Sequence, residues 1–468
     1  MKRVKIAFIG AGSVVFSRNV LADVLWHPAL RHAELALVDI DEDRLRTAEG
    51  MARRLNEQFR ADAEITASRD RRAALDGADF VISAIGVGGF AATKMDLELP
   101  ARFGLTQTVG DTLGVGGVFR ALRSVPELLR ICADIESLCP GALLLNYSNP
   151  MAMHCLAVER ATHVRHVGLC HGVRNTARTM RLIIAMMREP AETLRRHFRR
   201  RYGSPERARE WQEWWQRAAD PDLAYTCAGI NHMAFFLRFE SKGRDLYPLL
   251  RKAISVPHVR RLDLVRFELF ERLGYFMTET SGHTAEYLPY FLRSAAETKR
   301  LFLRPGLYLD TCRRQEREYR ALRAMVRAGR DIVTIPYEPS VEDAARIINA
   351  IVTGRPWHFN GNVHNAGGAL ISNLPGDCCV EVPCVAGRRD IRPAVVGDLP
   401  PQCAALIRTN VNVQDLAVRG IMEGERRYIH QAVMLDPNTA SSLTLPQMDR
   451  LIDAMFRAHA ARLPKSFQ

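Results

Sequence analysis

Short apolar runs alternate with amphipathic stretches along the first third of the chain. The runs have strand length and are rich in β-branched residues, whereas the longer stretches between them have helical spacing. The predicted strands cover residues 4–9, 35–38, 63–67, 79–85, 143–145 and 166–169. The main predicted helices cover 14–25 and 42–59, and a third long helix opens at the glycine-rich loop 110–117 and runs to about residue 138. Because strands that alternate with helices form parallel sheets with right-handed crossovers, the pattern predicts a doubly wound α/β domain.

The alternation stops near residue 181, and the remainder mixes two predicted strands with many helices. The strands cover residues 223–230 and 234–239, and helices dominate from residue 260. No repeat or flexible linker separates the two parts of the chain. The predicted fold class is therefore α/β, a Rossmann-type doubly wound parallel sheet over residues 1–172 with an integral α+β domain over residues 173–468.

A glycine turn follows the first predicted strand, and an acidic residue ends the second. This layout is typical of a dinucleotide-binding half, in which the turn approaches a pyrophosphate and the acid accepts hydrogen bonds from a ribose. The candidate cofactor-binding residues are Gly10, Ala11, Gly12, Ser13, Asp39 and Gly86. The fingerprint is incomplete, because Val15 stands where a third glycine is expected. Gly86 also fits a simple tight loop.

Polar side chains end several of the later strands. Asn149 follows one apolar run, Cys170 and His171 follow the next, and His232 lies between the two strands of the second part. A thiolate and an imidazole can together bind Mn²⁺ or Zn²⁺ and leave coordination positions open to a substrate. His171 has the chemistry of an acid or base. A buried core cysteine and a hydrogen-bonded histidine are the alternative interpretations.

The composition excludes several classes of protein. Hydrophobic residues make up 47% of the 468 residues, and no apolar run is long enough to span a membrane. The formal net charge is +13, but no recognised nucleic-acid-binding module accompanies it, so an arginine-rich solvated surface is expected. Ten irregularly spaced cysteines do not form a secreted disulfide framework, which favours a reduced, cytoplasmic protein.

Two stretches of the second part differ from their surroundings. Residues 191–219 carry a basic run and three tryptophans, and predict helices that either meet a partner chain or pack on their own domain. Residues 273–287 are polar and interrupted by glycine within a helical region, which indicates a functional loop.

Ten motifs together are typical of one family of enzymes: IGAGS (residues 9–13), LVDID (37–41), DTLGVGGVFRALR (111–123), LLNYSNPMAM (144–153), VGLCHGV (167–173), CAGINHMAF (227–235), LGYFMTET (273–280), AEYLPYF (285–291), NLPGDCCVEVPC (373–384) and TNVNVQ (409–414). In these motifs the chain resembles family four of the glycoside hydrolases, and within it the melibiase-type α-galactosidases. These motifs extend over nearly the full length of the chain.

The resemblance implies an α-glycosidase that depends on NAD and on a divalent metal, with manganese expected. Such an enzyme is an exception to the usual two-carboxylate mechanism. The implied reaction oxidises the sugar at C3, removes the proton at C2, eliminates the aglycone, adds water and re-reduces the sugar. A small α-glycoside is the implied substrate, and a homodimer or homotetramer is expected, without nucleic-acid or membrane partners.

Individual roles follow from matching positions. Cys170 and His232 match the metal ligands, and Asn149 matches a residue that binds sugar hydroxyls. His171 matches the proposed acid, and a histidine there implies an unphosphorylated sugar. Asp111 matches a residue that assists the base. Tyr287, with Tyr275 behind it, is the candidate base, and an aromatic side chain that packs a helix is the alternative interpretation of either tyrosine.

Two departures from the galactosidase pattern affect the predicted sugar. Residues 188–219 form a longer stretch than usual, and Gly172 stands where serine is common in the galactosidases. A glycine also occurs there in α-glucosidase and uronidase relatives, so α-glucosides, α-galacturonides and α-glucuronides remain alternatives. A 2-hydroxyacid dehydrogenase of the lactate/malate type shares the fold and the cofactor, but it has no use for a cysteine–histidine metal pair.

Overall fold

The computed structural model describes residues 3–199, 209–210, 212–214, 216, 220–388 and 390–468, without the side chains of residues 14, 15 and 197–199. No helix within these residues is long and apolar enough to cross a membrane.

The strands form a single 13-stranded sheet within the described residues. Their bounds are β1 Lys5–Ile9, β2 Glu34–Val38, β3 Glu64–Ser68, β4 Phe80–Ser83, β5 Leu143–Asn146, β6 Arg165–Leu169, β7 Leu223–Ile230, β8 Met233–Ser241, β9 Arg244–Asp245, β10 Phe276–Met277, β11 Trp357–His364, β12 Cys379–Ala386 and β13 Ile391–Pro393. All six strands predicted in the first part are present, although the fourth is shorter than its pattern indicated.

The first six strands are parallel and lie in the order β3-β2-β1-β4-β5-β6. This is the strand order of the dinucleotide-binding doubly wound fold, and it confirms the predicted fold class. The sheet then continues from β6 through β11, β12, β7 and β8 to β10, in antiparallel pairs. The second part of the chain therefore extends the sheet of the first part, and the predicted boundary at residue 172 stays a prediction.

Helices cover both faces of the sheet. Their bounds are α1 Val14–Trp26, α2 Glu42–Gln58, α3 Arg71–Leu75, α4 Gly89–Arg102, α5 Gly114–Leu138, α6 Met151–Ala161, α7 Gly172–Met186, α8 Ala191–Arg199, α9 Tyr247–Ile254, α10 Pro257–Arg260, α11 Leu264–Leu273, α12 Ser281–Glu286, α13 Ala295–Arg300, α14 Leu307–Arg327, α15 Ala344–Thr353, α16 Pro401–Glu423, α17 Arg426–Leu435, α18 Pro437–Ser442 and α19 Leu445–His459. Short 3-10 helices are formed by Pro28–Leu30, Ala366–Gly368, Ala460–Arg462 and Lys465–Phe467.

The first strand shows why the parallel strands have continuous apolar sequences. Ile6 and Phe8 pack into the cluster on one face of the sheet, whereas Ala7 and Ile9 pack into the cluster on the other. Successive side chains of a strand point to opposite faces, so a strand covered on both faces must be apolar throughout. The core consequently lies on both faces of the sheet and leaves the strand ends for polar residues.

The tryptophan-bearing stretch is only partly described. Trp214 is buried and packs in a cluster with apolar residues of α7, such as Ile183 and Met186. For this tryptophan the structure supports packing on its own domain rather than a partner contact. Trp211 and Trp215 lie outside the described residues.

Candidate active site

A cleft of about 2080 Å³ opens where the carboxyl ends of the parallel strands meet the loops of the second part. Ten of the twelve predicted site residues line it: Gly10, Gly12, Ser13, Asp39, Gly86, Asp111, Asn149, Cys170, His171 and His232. The first five form what we name the nucleotide half, and the last five belong to the chemical half. Ala11 and Tyr287 do not line the cleft.

The glycine turn of the nucleotide half is dictated by contacts within the sheet. Gly10 has φ +87°, and a Cβ there would lie 2.6 Å from the Ala84 carbonyl oxygen beyond β4. Its amide and that of Ala11 both donate to the Val38 carbonyl oxygen at 2.9 Å. These bonds fasten the turn to the end of β2, and they explain why Ala11 is buried beneath the cleft rather than exposed to it.

Asp39 and Gly12 are in direct contact. The Gly12 amide donates to Asp39 Oδ2 at 2.8 Å, and the Asp41 amide donates to Asp39 Oδ1 at 2.9 Å. A Cβ on Gly12 would lie 2.5 Å from Asp39 Oδ2. The aspartate therefore orients the glycine turn, and it keeps lone pairs for a ribose because a carboxylate accepts about four hydrogen bonds.

Gly86 lines the cleft without any steric or conformational need for glycine. A Cβ there would meet nothing within 4 Å, whereas Gly88, two residues on, has φ +90° and makes the turn into α4. The open space beside Gly86 therefore faces the cleft and is available to a ligand.

Three donor atoms of the chemical half form a compact triangle. Cys170 Sγ lies 3.4 Å from His232 Nε2 and 3.5 Å from Glu279 Oε1, and the latter two atoms are 3.8 Å apart. Cys170 follows β6, His232 lies in the two-residue turn between β7 and β8, and Glu279 follows β10. Each residue therefore reaches the cleft from the end of a strand.

The imidazole of His232 is held in place by hydrogen-bonding partners on the side away from Cys170. Its Nδ1 lies 3.2 Å from both Tyr287 Oη and Thr112 Oγ1, which leaves Nε2 directed at Cys170. Burial lowers the pKa of His232 to about 4, so the ring is neutral near pH 7. A neutral imidazole with one nitrogen hydrogen-bonded and the other free is the usual state of a metal ligand.

Tyr287 lies on the far side of His232 from the cleft. Its ring is buried, and burial holds the pKa of its hydroxyl well above the usual range. Tyr275 does not line the cleft either. The structure therefore does not place the candidate base where a substrate would bind. Instead, Tyr287 contacts His232, a predicted metal ligand, on the side that faces away from the cleft.

Asp111 and Asn149 form the floor of the chemical half. Asn149 Nδ2 donates to Asp111 Oδ2 at 3.0 Å, and His283 Nε2 lies 3.9 Å from Asp111 Oδ1. Burial alone would raise the pKa of Asp111, but the charges of His283 and Arg120 more than offset it and lower the pKa. A buried carboxylate that stays ionised is therefore held beside the amide of Asn149.

The loop that carries Asp111 is held by another buried acid. Glu286, in α12, accepts hydrogen bonds from the backbone amides of Thr108, Val109 and Gly110 at 2.6, 2.8 and 3.0 Å. Burial raises the pKa of Glu286 to about 7. Three backbone amides of one loop donate to this single carboxylate. These hydrogen bonds fix the position of the segment that leads to Asp111.

His171 stands at the mouth of the chemical half. Its side chain is half exposed, and Nδ1 lies 3.1 Å from Glu342 Oε1. Partial desolvation of the ring would lower its pKa, but the hydrogen bond and charge of Glu342 raise the pKa of His171 to about 9. The ring is consequently an imidazolium at neutral pH, with Nε2 left to donate a proton.

Glu279, His283 and Glu342 were missed by reasoning from the sequence. Glu279 and His283 lie in the polar segment 273–287, which the sequence marked as functional without indicating which side chains face inward. Glu342 gave no sequence signal, because it follows a loop 171 positions away from His171.

A dinucleotide-type turn and a thiol–imidazole–carboxylate cluster thus face one cleft of an α/β fold, the arrangement of a cofactor-dependent enzyme. The chain matches the model of the family 4 glycosyl hydrolases over residues 5–186 and the model of the C-terminal domain of the same family over residues 227–439. The chain therefore belongs to family 4 of the glycosyl hydrolases, as its motifs predicted.

Relatives match along almost the whole chain. An α-galactosidase of Bacillus subtilis is 38% identical over 98% of this chain and 99% of its own length. An α-galactosidase of Rhizobium meliloti is 33% identical over 99% of this chain and 90% of its own length.

Solved structures share the fold at lower identity. A 6-phospho-α-glucosidase from gut microorganisms, in complex with NAD and Mn²⁺, is 20% identical with a TM-score of 0.77, covering 99% of each chain. A lactate dehydrogenase of Cryptosporidium parvum is 14% identical with a TM-score of 0.51, covering 90% of this chain and 99% of its own. The second likeness confirms that the sheet is of the dehydrogenase type.

Proposed function

We propose that this protein is an NAD- and manganese-dependent α-glycosidase that acts on an unphosphorylated α-galactoside. The observation that carries the proposal is the convergence of the nucleotide half and the chemical half on one cleft. The 38% and 33% identical relatives named as α-galactosidases support the choice of sugar.

The nucleotide half fits a dinucleotide. The Gly10 turn leads into α1, whose first turn offers free backbone amides to a pyrophosphate, and the Asp39 carboxylate lies at the end of β2. Gly86 also lines the cleft, and the space beside it is free for a ligand. The solved 6-phospho-α-glucosidase with the same fold is in complex with NAD and Mn²⁺, which supports the same pair of cofactors here.

The chemical half fits a divalent cation. Cys170 and His232 would hold it, because their donor atoms lie 3.4 Å apart and face the same space. Burial and neighbouring carboxylates hold the pKa of the Cys170 thiol well above its usual range, so a thiolate there calls for a cation beside it. When bound, the dinucleotide supplies a reversible hydride acceptor for the sugar C3, and the metal supplies Lewis-acid polarisation of the sugar hydroxyls.

We assign His171 the role of general acid towards the glycosidic oxygen. Its imidazolium is maintained by Glu342 at 3.1 Å, and its half-exposed ring lines the cleft, so it can reach both the substrate and the solvent into which an aglycone would leave. A positioned acid of this kind contributes about 10²- to 10⁴-fold to a rate.

Asp111 and Asn149 would act on the sugar itself. Asn149 can bind a hydroxyl, and Asp111, which lines the cleft, can take part in removal of the C2 proton. Tyr287 does not reach the cleft, and its bond to His232 supports a role in holding the metal ligand instead.

The location and assembly of the protein remain predictions. All ten cysteines are free, which supports a reducing compartment such as the cytoplasm. A homodimer or homotetramer stays a prediction that a sedimentation experiment can test.

The decisive assay is hydrolysis of a panel of aryl α-glycosides by the full-length protein. The panel contains the α-galactoside, α-glucoside, α-galacturonide and α-glucuronide, each with and without NAD⁺, Mn²⁺ and a thiol reductant. We expect turnover of the α-galactoside only when both cofactors are present. A faster reaction with another sugar would correct the substrate, and the absence of turnover with all four would refute the proposal. Net NADH release from a 2-hydroxy acid would indicate a dehydrogenase.

A further inference from the structure

We propose that, in the metal site of the proposed function on which this step rests, Glu279 is a third protein ligand beside Cys170 and His232. We propose further that Gly172 provides the space that the carboxylate occupies. This assignment adds an oxygen donor to the predicted cysteine–histidine pair.

The distances among the three donor atoms are those of a coordination shell. Ligand atoms about 2.0 to 2.3 Å from a tetrahedral ion lie roughly 3.3 to 3.8 Å from one another. The three separations here are 3.4, 3.5 and 3.8 Å. One ion can therefore touch all three atoms after shifts of a few tenths of an ångström.

The backbone conformation at position 172 does not explain why the residue there is glycine. It begins α7 without the positive φ that would require glycine. A Cβ at this position would lie 1.5 Å from Glu279 Oε1 and 3.3 Å from Cys170 Sγ. A side chain at residue 172 and the carboxylate at its present place therefore exclude each other.

The backbone of Glu279 is held in an unfavourable conformation that aims the side chain at the triangle. Its φ is +70°, a value that non-glycine residues seldom adopt. Its amide donates to Thr176 Oγ1 at 3.1 Å, and its carbonyl oxygen accepts a hydrogen bond from Arg266 Nη1. His232 has φ +62°, so two of the three donors lie on strained backbone, a feature that clusters at functional sites.

A carboxylate changes which cation the site prefers. A thiolate and an imidazole suit Zn²⁺, whereas carboxylate oxygens suit harder ions such as Mn²⁺. A thiolate and a carboxylate together also balance the charge of a divalent ion. Glu279 thus gives the site a physical reason to accept manganese while coordination positions stay open to sugar hydroxyls.

The test is a titration of the full-length protein with Mn²⁺ in the absence of substrate. Binding is measured as the loss of the electron paramagnetic resonance signal of free Mn²⁺. We expect Glu279→Gln and Gly172→Ala each to weaken Mn²⁺ binding by at least about tenfold. The double variant should bind no more weakly than Glu279→Gln alone, because both changes remove the same ligand. Gly141→Ala is the matched control, since a Cβ at Gly141 meets nothing within 4 Å.

Cobalt substitution keeps the assignment testable if a variant is less stable. Co²⁺ bound to the wild-type protein and to Glu279→Gln should show a thiolate-to-cobalt absorption band, and Cys170→Ser should lack it. Unchanged Mn²⁺ affinity in Glu279→Gln, or additive losses in the double variant, would overturn the third ligand while leaving the proposed function intact. A wild-type protein that binds neither Mn²⁺ nor Co²⁺ would refute the metal site of the proposed function as well.

Discussion

The two halves of the cleft are built in opposite ways. The nucleotide half comes from neighbouring segments of the chain, the glycine turn after β1 and the acid after β2, and it is held by backbone hydrogen bonds such as those from Gly10 and Ala11 to Val38. The chemical half collects side chains from β6, the β7–β8 turn and the loop after β10. Its members meet through contacts between side chains that lie far apart in the sequence, from 38 positions for Asn149 and Asp111 to 109 positions for Cys170 and Glu279.

The difference shows how the two halves should respond to substitution. A backbone-built site tolerates side-chain changes until one of them displaces the turn. A side-chain cluster loses its function when one donor is removed, since each donor occupies a separate position around the ligand. Substitutions in one half should therefore leave ligand binding in the other half nearly unchanged.

The largest effect is expected for Cys170→Ser. Serine lacks the thiolate, so we expect Mn²⁺ affinity and glycosidase activity to fall by more than about 100-fold, while NAD⁺ binding is retained. Mn²⁺ titration, NAD⁺ titration and an activity assay measure the three quantities. The control is Cys312→Ser, which changes another thiol on the wall of the cleft and should leave Mn²⁺ binding intact. Near-normal Mn²⁺ affinity of Cys170→Ser would contradict the ligand assignment.

A smaller effect in the other half is expected for Gly12→Ala. The added methyl group would lie 2.5 Å from Asp39 Oδ2 and displace the carboxylate that orients the turn. Overpacking costs about 1–3 kcal/mol, so NAD⁺ binding should weaken by about tenfold. Mn²⁺ affinity should not change.

Calorimetry of NAD⁺ binding measures this effect, with Gly141→Ala as the control for adding a methyl group at a glycine. If Gly12→Ala weakened Mn²⁺ binding as strongly as NAD⁺ binding, the two halves would not be independent and the comparison would fail.

The smallest effect at neutral pH is expected for Glu342→Gln. Glu342 raises the pKa of His171 to about 9, so the protonated acid persists from neutral pH up to that value. Without the charge, the pKa of His171 should fall towards the ordinary value of about 6.5. If the pKa reached that value, the protonated fraction of His171 at pH 7 would drop about fourfold, and the alkaline limb of the kcat profile would move down by about 2.5 pH units.

A pH–rate profile measures this shift, and Glu338→Gln, an exposed acid of the same loop, is the matched control. An alkaline limb that stays in place in Glu342→Gln would show that His171 is not the acid or that Glu342 does not hold its proton.

The nucleotide half could largely be predicted from the sequence, whereas the chemical half could be predicted only in part. The doubly wound parallel sheet and the residues at strand ends followed from hydrophobic periodicity, because parallel strands place their carboxyl ends at one edge of a sheet. The order of the strands was not predicted and comes from the structure. Gly10, Gly12, Asp39, Cys170 and His171 were found in this way or through family motifs.

Whether the missed residues reach the cleft depends on how the second part of the chain packs against that edge of the sheet. Glu279 and His283 face the cleft, whereas Tyr287, only four residues beyond His283, is turned to the back of His232. The short helix α12 and the residues on either side of it decide which of these side chains point into the cleft, and so short a segment has no hydrophobic period that reveals its orientation. Glu342 meets His171 through the loop before α15, a contact that no local pattern encodes.

The central claim is that the two halves act on one sugar, with the nucleotide half and the chemical half both required for cleavage. The most direct measurement is hydrolysis of an aryl α-galactoside in D₂O with NAD⁺ and Mn²⁺, followed by nuclear magnetic resonance of the released galactose. We predict deuterium at C2 of the product, because the C2 proton is removed and replaced from solvent. Complete hydrolysis with the original proton retained at C2 would contradict the account.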